Sequence, residues 1–160
     1  MKNFAVAVLF VLTICCNKNS IHWQYNNLEN LPKTHLDKIT MIYFYADWWY
    51  ACGLLEANTF PNIKVVNYLN QNFTNLKVDA SSSYGQTLFL DYQGTGYPML
   101  LFLDADKIEI DRFYGYFDPE NFLNKVSQII NGENTFPKLL AQYNAGDYTI
   151  ETLSVLAEKF

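Results

Sequence analysis

Two short apolar runs, Met41-Ile42-Tyr43-Phe44-Tyr45 and Met99-Leu100-Leu101-Phe102-Leu103, set the limits on what this chain can fold into. Neither alternates apolar with polar residues, and each is short for a helix. Both read as strands buried on two faces, the pattern of a parallel or mixed sheet covered by helices. The first run feeds into Ala46-Asp47-Trp48-Trp49-Tyr50, a strand-to-helix turn, and a helix is expected from about Tyr50 to Asn58. Pro61 suits the first turn of a second helix, with Ile63, Val65, Val66 and Leu69 on one face. Leu76–Asp79 reads as a short strand. Ser81-Ser82-Ser83 can cap a helix in which Tyr84, Leu88 and Tyr92 repeat every fourth residue. After the loop Gly94–Pro98 and the second apolar run, Ile108–Arg112 alternates as a strand should. Asp118-Pro119 is an N-cap and first-turn pair, and Gly132 closes that helix. The order β-α-(α)-β-α-β-β-α is a βαβ unit followed by an antiparallel ββα unit.

Composition removes several alternatives. Half of the 160 residues are apolar and 17% are charged, enough for one real core and far from a disordered chain. The net charge of -5 argues against a nucleic-acid binder that works by neutralising phosphates. Three cysteines exclude a disulfide-dense scaffold and a four-Cys zinc site. His22, His35 and Cys52 have no metal-ligand spacing, so neither metal nor cofactor is expected. Gly94-Thr95-Gly96 is too short for a phosphate loop.

The N-terminus reads as an export signal spanning residues 1–16. Lys2 precedes an apolar run from Phe4 to Cys16, broken only by Thr13. As a helix such a run spans only about 20 Å, short of the roughly 30 Å hydrocarbon core. Polar Asn17-Lys18-Asn19-Ser20 follows, completing the secretory pattern. Leu12-Thr13-Ile14-Cys15 is similar to the lipobox of bacterial lipoproteins, which makes Cys15 or Cys16 the candidate lipidation site, although Ile14 stands where a small residue belongs. The expectation is an exported protein, periplasmic or membrane-anchored by lipid. Residues 17–38 then form a tether and a first short element, 39–132 the main domain and 133–160 a helical tail. Leu153, Leu156 and Phe160 are spaced like a helix face without an obvious partner, so the tail either packs on the domain or continues into a longer chain.

The residues at the joints resemble the thioredoxin fold, and most closely the periplasmic C-terminal domain of DsbD-type thiol:disulfide interchange proteins. Ala46-Asp47-Trp48 resembles that family's lead into its active site. Ala51-Cys52 resembles the end of its Cys-x-Ala-Cys, with Glu56 four residues on and Thr59-Phe60 at the helix end. Gly96-Tyr97-Pro98 is similar to the loop whose proline is cis, and Asp118–Phe122 to the start of the last helix. The resemblance covers about residues 21–130. It implies an α/β thioredoxin fold with a central mixed sheet flanked by helices, βαβ then ββα, and here a short helical C-terminal tail.

One departure outweighs these matches. The resemblance puts the nucleophilic cysteine at position 49, where this chain has Trp49, and no Cys-x-x-Cys exists anywhere in it. Disulfide exchange needs one thiolate to attack and a second thiol to resolve the mixed disulfide. Dithiol catalysis within the domain is therefore not expected. Cys52 has two readings, a buried small hydrophobe or a monothiol that exchanges with an external partner in envelope disulfide metabolism. The resemblance makes Asp47 and Glu56 candidate proton-transfer groups. It also makes the main chain of Tyr97, before Pro98, a site where an extended peptide could add as a strand. Trp48, Trp49 and Tyr97 would then form an aromatic surface for a peptide or protein partner of the cell envelope.

Overall fold

The computed structural model describes residues 20–25, 27–31 and 38–160. Residues 1–16, expected to be a signal segment and holding Cys15 and Cys16, and His35 lie outside the described residues. Among the described residues five strands form one sheet: β1 (Trp23–Gln24), β2 (Ile39–Tyr45), β3 (Phe73–Asp79), β4 (Met99–Leu103) and β5 (Glu109–Tyr114), in the order β1-β3-β2-β4-β5. β3 lies parallel to both β1 and β2, while β4 is antiparallel to β2 and β5. Among the described residues six α-helices accompany them: α1 (Tyr50–Leu54), α2 (Ile63–Asn72), α3 (Ser83–Asp91), α4 (Pro119–Asn131), α5 (Phe136–Asn144) and α6 (Ile150–Ala157).

β2 and β4 are buried on both faces, as their unbroken apolar runs predict. Met41 and Tyr43 join Leu100, Phe102, Phe113, Phe122 and Val126 on the face covered by α2 and α4. Ile42 and Phe44 join Met99, Leu101, Leu103, Leu88 and Phe89 on the α3 face. Phe122 packs edge-on against both Phe60 and Phe113, so Phe122→Ala would cost about 3–5 kcal/mol.

Local chemistry fixes the ends of the helices. The Asp118 carboxylate accepts from the amides of Glu120 and Asn121 at 3.0 and 3.1 Å. At the other end of α4, Gly132 has φ 65°, and the amides of Gly132 and Glu133 return to the carbonyls of Ile129 and Gln128. This is the paired closure that favours glycine. The first helix departs from the sequence reading: α1 ends at Leu54, and Leu55–Thr59 continues it as a wider π turn. β3 begins at Phe73 instead of Leu76, because α2 runs straight into it and Phe73 packs on Phe102. β5 starts and ends later than its alternation suggests.

The C-terminal helices pack on the domain. Leu139 and Leu156 are buried, and Lys159 reaches the buried Asp111 of β5 at 2.7 Å. The same carboxylate accepts from the amides of Arg112 at 2.8 Å and Phe136 at 3.1 Å. Burial pushes the Asp111 carboxyl up, and Lys159 opposes that push. Lys125 of α4 pairs with Glu158 at 2.6 Å, and the Thr95 hydroxyl donates to the Phe160 carbonyl. Among the described residues no helix is long and apolar enough to cross a membrane.

Candidate thiol and peptide-binding site

The carboxyl end of β2 delivers Ala46 and Asp47 to a turn closed by the Trp49 amide donating to the Ala46 carbonyl at 2.9 Å. Trp49 is the N-cap residue of α1, with extended backbone, and the Cys52 amide donates to its carbonyl at 3.0 Å. The two residues nevertheless differ sharply in exposure. Trp49 projects from the open end of the helix, 43% exposed, between Trp48 at 70% and Tyr50 at 79%. Cys52, one turn inward, is 1% exposed.

Burial pushes the Cys52 thiol up, partly offset by hydrogen bonds from the Ala46 main chain and the Tyr43 side chain. The group beneath it was not apparent from sequence. The Tyr43 hydroxyl lies 3.4 Å from the Cys52 carbonyl and 3.2 Å from Glu56 Oε1, where it can donate. Burial pushes this phenol far up, and the neighbouring Cys52 and Glu56 add to the effect, so it is a neutral donor. Lys77 pairs with the same Glu56 oxygen at 3.0 Å and sits over the Tyr45 ring at 4.4 Å. Tyr43 and Lys77 are direct partners in the β2–β3 register. A lysine between Leu76 and Val78 in a buried strand was the available signal. Asp47 is exposed, as is Glu56, and burial followed by the charge of Asp47 pushes the Tyr45 phenol up.

Opposite the turn, the Tyr97–Pro98 peptide bond is cis. Tyr97 rests on Phe89 with centroids 4.8 Å apart, and Gly94 lets this loop close, because a Cβ there would meet the Phe89 ring at 2.3 Å. Tyr97 meets Trp48 edge-on at 6.3 Å, and Trp48 meets Trp49 at 5.7 Å. The structure thus brings Trp48, Trp49, Tyr97 and Pro98 to one end of the domain, with Cys52 beneath. Among the described residues, neither the amide nor the carbonyl of Tyr97 has a hydrogen-bond partner. No group of three or more His, Cys, Asp or Glu among them could hold a metal ion.

A mixed sheet whose second strand leads into a helix bearing a buried cysteine, opposite a cis-proline loop, defines a thioredoxin-like protein. The chain belongs to the thioredoxin-like domain family, whose model matches residues 26–130. It is 37% identical over 89 residues to the thiol:disulfide interchange protein DsbD of Tatumella citrea, covering 54% of this chain and 15% of that one. It therefore spans less than a fifth of that relative's length. The DsbD C-terminal domain of Neisseria meningitidis in its oxidised form aligns at 26% identity with TM-score 0.52, over 60% of this chain and 84% of that one. A thioredoxin from Thermus thermophilus shares the fold, at 24% identity and TM-score 0.61, over 69% of this chain and 88% of that one.

Proposed function

We propose that this protein is an exported binding module of the cell envelope, related to thiol:disulfide interchange proteins, in which Trp49 occupies the slot of the attacking cysteine. It holds an extended segment of a partner protein against Trp48, Trp49 and the main chain of Tyr97. The observation that carries this reading is the unpaired amide and carbonyl of Tyr97 beside exposed indoles. Free main-chain groups supply the ladder of an added strand, and the indoles supply apolar area. The partner is a thiol- or disulfide-bearing protein, in keeping with the DsbD likeness, and a lipid on Cys15 or Cys16 would hold the module at the membrane.

The monothiol reading is weaker on physical grounds. A thiol that is buried and pushed towards its neutral form attacks disulfides poorly. The two readings separate in one experiment. Partners are captured on the immobilised protein and on its Cys52→Ser variant under native conditions, and eluates are run with and without reductant. Capture that survives Cys52→Ser and needs no reductant for release supports binding. Capture that vanishes in the variant, as adducts released only by reductant, overturns it in favour of exchange through Cys52.

A further inference from the structure

The aromatic face does not stop at Tyr97. Beyond it a cleft of about 560 Å³ opens between the cis-proline loop and the C-terminal end of α6. One wall is Gly96, Tyr97 and Tyr114, and the other is Ala157 and Phe160, with Phe117 between them. The far wall belongs to residues beyond the family match, which ends at 130. It is fixed in place: Thr95 is bonded to the Phe160 carbonyl, Lys125 to Glu158 and Lys159 to Asp111. The near wall is bare, since a Cβ on Gly96 would have nothing within 4 Å.

We infer that this cleft receives one large aromatic side chain of the bound segment and so sets the module's sequence preference. The inference rests on the peptide-binding reading above. The occupant is an extended peptide carrying a phenylalanine-sized residue flanked by lysine or arginine. The apolar walls select the ring. Charge selects the flanks, since exposed Asp47 lies before the indoles and the chain carries -5 overall, whereas Glu158 at the cleft is already paired with Lys125. A segment laid along Tyr97 places every second side chain on the same side, so one residue can reach the cleft while its neighbours lie over the indoles or in solvent.

The test uses two fluorescein-labelled peptides with identical lysine-flanked backbones, one with a central Phe and one with Ala there, titrated by fluorescence anisotropy. Two variants fill the cleft from opposite walls. Gly96→Val projects into open space, and Ala157→Leu keeps a good helix former at an exposed position. The expected result is a wild-type preference of about tenfold for the Phe peptide, the scale of one buried aromatic side chain, and a Phe-to-Ala affinity ratio near one in either variant. Replacing the flanking lysines with glutamate weakens binding in the wild type. Two patterns overturn the cleft assignment but leave peptide binding standing: equal wild-type affinity for both peptides, or a Phe preference that survives both variants. Should neither peptide bind even at millimolar concentration, both the cleft and the peptide-binding reading fall.

Discussion

The two sides of the β2–α1 joint invert the usual arrangement of a globular domain. Outside, Trp48, Trp49 and Tyr50 hold large apolar rings in water. Inside, Tyr43 and Cys52 put ionisable groups in the core, and the Tyr43 hydroxyl reaches out to an exposed Glu56 that Lys77 of β3 pairs with. Exposed aromatic area is a cost that a binding partner recovers, whereas a buried polar cluster is tolerable only when its members satisfy one another. The outer side is thus suited to recognition and the inner side to holding the joint rigid. Thiol chemistry would require the reverse, with sulfur at the open helix end.

The largest expected effect comes from reversing that exchange. Trp49→Cys places a thiol one turn from Cys52; on mild oxidation the protein should lose the mass of two hydrogens, and insulin reduction should rise from background to a measurable turnover. Retention of two free thiols after oxidation would remove Trp49 from the nucleophile's slot. Next, replacing Trp48 and Trp49 together by alanine should weaken partner-peptide binding about 100-fold while shifting stability by no more than about 0.5 kcal/mol. A loss of stability comparable to a core deletion would show the indoles to be packing, not recognition. Cys52→Ala should do the opposite, costing about 1 kcal/mol in urea unfolding with peptide affinity intact.

The smallest effect is in pH. Burial raises the folded-state pKa of Cys52 and Tyr43, so above the unfolded thiol value the native state holds more protons than the unfolded one. Stability then falls as pH rises beyond about 8.5–9, and again near the phenol range of about 10. Melting temperatures from pH 7 to 10.5 should decline along this course, with the first part of the decline absent in Cys52→Ala.

Much of the scaffold was readable because its signals are local. The runs of β2 and β4, the Asp118 cap and the Gly132 closure each depend on residues within a few positions of one another. β1 was not readable, since Trp23–Gln24 is too short to show a period and exists only through pairing with Asn75 and Leu76 of β3. The aromatic trio of Trp48, Trp49 and Tyr97 was legible only through resemblance, because no local pattern brings position 97 to position 48. The inner cluster was harder. Tyr43 reads as one more apolar residue until register sets it beside Lys77, and Glu56 has no partner within its own helix. The hairpin of α5 and α6 likewise showed its periodicity but not the strand carboxylate it answers.

That carboxylate makes the core answerable to the end of the chain. Asp111 sits in the interior against a lysine 48 positions further along, the two lying on either side of residue 130. A carboxylate at 111 without its lysine would be an uncompensated charge in the interior, costing about 3–5 kcal/mol, a large share of a small domain's stability. Asp111→Asn in this chain should accordingly be tolerated better than loss of Lys159.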